Sequence, residues 1–365
     1  MAGSEPKEHH FVPQFYLRAF GNGGKSIRLF NIARRQHVAG APIKSQCARH
    51  KLHAFRPGLE QTLATLEGAA ATAIRSIVNA EQAPAPPSTE WQDAIGFMAL
   101  QKVRTVRAIQ SVETLTDFML GHAPEPGDAV TGLDREQLKA GLPHPLALMF
   151  GYVREIIGHA ADLTMHLLVN ETDEEFVTSD DPVVMHNQYC EGIGYRGVLG
   201  WDCSGLQVFL PLSPRLLLIL FDPAVYKVEG TKKGLRTTAI RETCHVRRLN
   251  ELQVLNAHEN IYYSAPPTAA FERFCEAVTD RRLTGRTSMM ESVPLERADG
   301  TSTQVLHSFE PLLPVRLDLP HIDIRRRARK VPLDARGGLY RSRENRYQER
   351  HGPSDQFEVQ NLYLR

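Results

Sequence analysis

The sequence lacks any long apolar run: the longest, Leu216 to Phe221, has six residues, against the about 20 needed for a helix that crosses a bilayer. A membrane-spanning helix is excluded, and no membrane partner is expected. The opening Met-Ala-Gly-Ser-Glu-Pro-Lys-Glu holds no apolar stretch of the kind that directs secretion, so the expected location is the cytoplasm. Cysteine is sparse, five in 365 residues, odd in number and without a Cys-x-x-Cys pair. Neither a disulfide framework nor a ribbon-type zinc site is indicated, and the thiols are expected to be reduced and mostly buried. An excess of one charge is also missing, with 43 Lys and Arg against 42 Asp and Glu, so no global field draws the chain to nucleic acid or anionic lipid. Walker-type phosphate loops, His-Glu-x-x-His and Gly-x-Ser-x-Gly are absent, and no Gly-x-Gly-x-x-Gly follows an expected strand. The common NTPase, dinucleotide, zincin and nucleophile-elbow chemistries are thereby unsupported.

What is present is enough apolar residue for an ample core and one local basic run. Between Arg316 and Arg350 eleven Lys or Arg face five Asp or Glu, a patch through which a nucleic acid or nucleotide is the expected partner. Apolar residues at Leu59, Leu63, Leu66, Ala70, Ala73, Ile74 and Ile77 predict an amphipathic helix over 59–79, closed by the proline break at 83–87. A second helix is expected from a Ser88 or Thr89 cap to about Leu120, a short one near 134–140, and a third long one over 144–167. Turn chemistry at 21–24 leads into a strand at 26–31, with a hairpin returning near 36–39. Short β-leaning runs at 175–180, 207–211, 215–221 and 261–264 predict a mostly antiparallel sheet, with helices over 237–257 and 269–282. The fold class is therefore α+β: a helical layer with a mostly antiparallel sheet, plus a weakly ordered basic C-terminal extension. Residues 8–283 form the expected single domain and 284–365 an accessory tail.

Polar chemistry is densest at His9-His10-Phe-Val-Pro13-Gln14-Phe-Tyr16-Leu17-Arg18-Ala-Phe20. Adjacent side chains of a strand point to opposite faces, so at most one of His9 and His10 is expected to act in a given site. If the stretch is extended, Gln14, Tyr16 and Arg18 share one face. In the first long helix Glu60 and Glu67 are seven residues apart, on one side and about 10.5 Å along the axis. Gln101, Arg104 and Arg107 follow at three-residue steps in the second and could offer cationic donors to an anion or to those carboxylates. Ser179 and Asp180 end a strand, a place where polar side chains are held rigidly at a cleft. Cys47, His50 and His53 have a metal-like spacing, but no fourth ligand is evident.

The opening resembles that of a bacterial family of unknown function, whose members begin with a pattern close to His-His-x-Val-Pro-Gln-x-Tyr-Leu-Arg-x-Phe. Thr178-Ser179-Asp180-Asp181-Pro182 matches a second pattern, Thr-Ser-Asp-x-Pro, and Gln207-Val-Phe-Leu-Pro211-Leu-Ser213-Pro214 is similar to a third. The resemblance spans about 8–265 and implies extent and site rather than activity. It marks the His pair, acidic positions in the first helix (Glu60, Glu67) and the Arg104 region. The expected catalytic groups are His9, His10, Glu60 and Asp180; Gln14, Tyr16, Arg18, Glu67, Arg104 and Ser179 are expected to bind substrate, and a divalent metal is the candidate cofactor. A His, carboxylates and an Arg in one cleft fit a hydrolase, most concretely a metal-assisted nuclease or phosphoesterase. The alternative is a non-catalytic ligand- or protein-binding module in which Gln14, Tyr16, Glu60 and Arg104 knit the N-terminal segment onto the helices.

Overall fold

Leu216–Phe221, the most apolar stretch of the chain, is buried at every position and so must be covered on both faces and flanked on both edges. A computed structural model of the chain, describing residues 8–121, 135–193, 197–282, 289–296, 302–337 and 339–341, puts it at the centre of the main sheet. The strand order there is Thr237–Ile240, Thr164–Asn170, Leu216–Phe221, Gln207–Ser213, Val184–His186. Neighbours are antiparallel except Thr237–Ile240, which runs parallel to Thr164–Asn170. A second, antiparallel sheet orders Gly21–Asn22, Ser26–Asn31, Asn260–Tyr263 and Thr178–Ser179, with Gln36–Pro42 also paired to Ser26–Asn31. The fold is α+β, and one apolar core joins these sheets to the helices. No described helix is long and apolar enough to cross a membrane.

The amphipathic helix is Leu59–Ala80, burying Leu59, Leu63, Ala70, Ala73, Ile74 and Ile77. The second expected helix is instead two, Thr89–Val103 and Val106–Gly121. The break has a local cause: the Arg104 side chain turns inward, and the Thr105 hydroxyl accepts the Ala108 N–H at 3.3 Å and caps the second piece. Ser88 caps the first, as expected, by accepting the Trp91 N–H. The short helix is Arg135–Ala140; residues 122–134 of the expected loop lie outside the described residues.

The helix expected over 144–167 ends early, as Pro145–Gly151 and Val153–Ala160, and Thr164–Asn170 is a strand. A run apolar on all sides fits a buried helix or a buried strand equally well, and six paired positions against Leu216–Phe221 decide for the strand. The expected helix over 237–257 begins as the strand Thr237–Ile240, rich in β-branched residues and paired parallel with Leu167 to Asn170, and is helical only over Thr243–Asn256. The segment read as extended is likewise corrected: Gln14–Arg18 is a helix behind Pro13, whose fixed φ suits a helix start. Gln14 and Arg18 therefore share the outer side, while Tyr16 and Leu17 are buried.

Beyond 284 a hairpin pairs Met289–Glu296 with Ser302–Phe309. Leu313, Val315, Leu317 and Leu319 are buried on the main core, and Ile322–Ile324 pairs with Tyr226–Val228. The extension is thus anchored through its middle; residues 342–365 lie outside the described residues.

Candidate functional site

Glu8–His10 pairs antiparallel with Ala48–His50, and pleating sends the two imidazoles apart. His9 is buried; His10 is half-buried. His10 Nε2 lies 3.1 Å from the Lys44 carbonyl and 3.3 Å from Gln14 Nε2, and Arg18 donates to Gln14 Oε1 at 3.1 Å. His10, Gln14 and Arg18 therefore form a chain on the outer side, away from His9.

His53 follows the second strand after a turn in which Lys51 has a positive φ of 53°. Its peptide N–H donates to His9 Nδ1 at 2.9 Å, and the two rings stack with centroids 5.4 Å apart. Glu60 stands in the first turn of the long helix, where the helix dipole favours a carboxylate. Its Oε1 makes a short hydrogen bond with His53 Nδ1 and lies 3.4 Å from His9 Nδ1. Burial alone would raise the Glu60 pKa, but the His53 hydrogen bond and the charges of His53, His9 and Arg104 hold it below its ordinary value. Both rings are buried, whereas the Glu60 side chain is 26% exposed, so solvent reaches the cluster from the glutamate.

One donor atom from each of His9, His53 and Glu60 falls within 4.8 Å of the others. His9 Nδ1 accepts the His53 N–H at 2.9 Å, so an ion held at that atom would replace this hydrogen bond. The donor chemistry otherwise fits, since two imidazoles and one carboxylate bind first-row divalent ions and leave positions open. His53 Nε2 is buried with no hydrogen-bond partner, a second lone pair or proton that the protein leaves unanswered. His9, His53 and Glu60 could therefore hold a divalent metal, with Glu60 toward solvent.

Behind the cluster Arg104 is fully buried. Its Nη1 donates to Glu67 Oε1 at 2.7 Å, and its Nε and Nη2 donate to Gln101 Oε1 at 3.0 and 2.8 Å. Gln101 in turn donates to the Phe11 carbonyl at 2.8 Å. The N-terminal segment is thereby tied to both long helices, through His9 to one and through Phe11 to the other. Glu60 and Glu67 do share a side, yet each serves a different cation or imidazole.

The remaining expected residues do not join this cluster. Asp180 is buried, and its carboxylate accepts the peptide N–H groups of His258, Glu259 and Asn260 at 2.7, 2.7 and 3.1 Å. Burial raises its pKa despite those three donors. In this setting the carboxylate shapes a loop and offers no open coordination position. The Ser179 hydroxyl donates to Gln253 Oε1 at 2.9 Å, and the Tyr16 hydroxyl donates to the Pro211 carbonyl at 2.6 Å in the core. Cys47, His50 and His53 do not converge: Cys47 contacts the Tyr262 hydroxyl, and His50 lies near Glu8. In the basic run, Arg325 binds the Pro223 and Tyr226 carbonyls, Arg329 binds Asp323, Arg336 stacks on Tyr189, and Arg341 binds Asp162. Arg325, Arg336 and Arg341 hold the extension to the body, while Arg329 is engaged within the extension itself. His53 belongs with Glu60; the sequence marks it through its spacing from Cys47 and His50, which are not its partners here.

No curated protein and no solved structure is detectably similar to the chain. The sequence pattern of one family does match, over residues 8–266, which takes in His9, His53, Glu60, Glu67, Gln101 and Arg104 and accounts for well over half of the length. The chain belongs to the family of proteins of unknown function designated DUF4238.

Proposed function

We propose that this chain is a divalent-metal-dependent hydrolase of phosphoesters, with His9, His53 and Glu60 as the metal ligands. The observation that carries the reading is the convergence of three ligand atoms within 4.8 Å of one another at a place where a carboxylate kept ionised is partly open to solvent. A divalent ion there would polarise a phosphoryl oxygen and lower the pKa of a water bound beside it. Glu67 and Gln101 fix the Arg104 guanidinium behind the site, where its charge helps to keep Glu60 ionised. Because four arginines of the basic run are engaged within the protein, a nucleotide or short single strand suits the site better than a duplex.

A second reading, in which the cluster only clasps the N-terminal strand to the helices, is favoured by the burial of both imidazoles. One experiment separates the two. Purified protein loaded with Zn²⁺, Mn²⁺ or Mg²⁺ is offered bis(p-nitrophenyl) phosphate, nucleotides, RNA and DNA. The hydrolase reading predicts metal-dependent turnover that His53→Ala and Glu60→Gln abolish and His10→Ala preserves. Absence of turnover of every one of these substrates by metal-loaded protein leaves the clasp.

A further inference from the structure

A cavity of about 420 Å³ opens beside the break between the two helices Thr89–Val103 and Val106–Gly121, and no residue of the His9–His53–Glu60 cluster lines it. Its charged walls are Lys102, Arg107, Glu155, Asp181, Asp202 and Glu310, two cations against four anions. The Lys102 ammonium is answered by Glu310 at 3.2 Å. The Arg107 guanidinium is spent on the carbonyls of Asn256 and Ala257 and on Asp181, whose Oδ2 lies 2.9 Å from its Nε.

Asp181 is 1% exposed and lines this cavity. Its peptide N–H donates to the Ser179 hydroxyl and its carbonyl accepts from Asn256 Nδ2, so the backbone is fixed on both sides. Neither carboxylate oxygen accepts a hydrogen bond, because the Arg107 contact supplies charge without the N–H direction. A carboxylate has about four acceptor positions, and leaving them empty in a buried site is costly. The rest of the wall combines Thr105, Ser111 and His159 with Met149, Tyr152, Met185 and Trp201; faces of Tyr and Trp attract cations. The volume is in the range of small-molecule sites.

We propose that this cavity binds a small organic cation, an amine with an apolar body, whose ammonium donates to Asp181 while its body lies against Tyr152 and Trp201. The Asp-Asp pair before Pro182 then has divided work: Asp180 holds the loop at 258–260, and Asp181 faces the ligand.

Isothermal titration calorimetry with 2-phenylethylamine and, separately, phenylacetate tests the proposal. The amine is expected to bind with a dissociation constant of about 1 mM or below, as a ligand of its size in a good pocket should. Phenylacetate is expected to bind at least about tenfold more weakly. Asp181→Asn should weaken the amine by about tenfold or more. Should that variant not fold, Ser111→Trp, which fills the cavity from the surface of its helix, should abolish amine binding with the melting temperature retained. No amine binding up to about 10 mM overturns the proposal, as does phenylacetate binding as tightly as the amine, or amine binding that Ser111→Trp leaves intact. Metal content is unaffected in either case, so the outcome is independent of the proposed metal centre.

Discussion

Glu67→Ala isolates the buried half of the N-terminal network. Arg104 is fully buried, and the substitution removes the 2.7 Å acceptor of its Nη1, leaving a buried cation held by the single Gln101 oxygen. Breaking a buried ion pair from one side costs about 3–5 kcal/mol. Glu67 is itself 26% exposed, so water can enter the gap and the lower end, about 3 kcal/mol, is expected. Each kcal/mol lowers the melting temperature by about 1.6 °C in a cooperative unit of about 300 residues, which predicts a drop of about 5 °C. Arg104→Met removes the charge instead, keeps much of the buried volume and leaves Glu67 to solvent, so it should cost less, about 1–3 kcal/mol. The double variant should then be more stable than Glu67→Ala alone. Urea unfolding followed by circular dichroism gives all three values. A Glu67→Ala midpoint indistinguishable from wild type, or strict additivity in the double variant, would refute the claim that Arg104 depends on Glu67.

Two pH effects follow from buried titratable groups. Glu60 has a folded pKa below its ordinary 4.5, so its contribution is complete above that value and is lost as the pH falls through the folded pKa. Glu60→Gln should therefore flatten the acid limb of the stability curve below about pH 4.5; an unchanged slope contradicts the ionised Glu60. His166 and His321 are both lowered from 6.5 to about 4 by burial. Unfolded chains take up those protons first as the pH falls from 6.5 toward 4, and stability drops across that window by up to about 3 kcal/mol per histidine. His321→Gln should be less acid-sensitive there than wild type, measured as denaturant midpoints at pH 7 and pH 5, and an equal loss in both proteins rules the mechanism out.

The helix Leu59–Ala80 and the strand Ser26–Asn31 are legible in the sequence because their periodicity and turn signals agree, and Leu216–Phe221 because it is a short apolar run bounded by turn residues. So is the division of labour between His9 and His10, which needs only the pleat of a strand. The break at Arg104 is not legible, since it depends on Glu67 and Gln101 waiting in the core to receive the guanidinium. Thr164–Asn170 could not be told from a buried helix without its partner strand. In the extension, Leu313, Val315, Leu317 and Leu319 do alternate with exposed residues, a period of two obscured by the prolines around it. At the site, Glu60 is marked by its helix, but its pairing with His53 is a meeting of a turn and a helix start. Asp180 looks like chemistry in the sequence because the signature of a strand-end turn and that of a catalytic strand end are the same; its three N–H partners come from residues about 80 positions away.

The metal content of the purified protein tests the central claim most directly. After incubation with Zn²⁺ or Mn²⁺ and removal of free ion, elemental analysis should find one divalent ion per chain. At a free concentration of 100 Kd the bound ion should also raise stability by about 2.7 kcal/mol. His53→Ala and Glu60→Gln should lose the ion and His10→Ala should keep it. Wild-type protein that holds no divalent ion, or variants that retain the wild-type content, would contradict the assignment of His9, His53 and Glu60 as a metal centre.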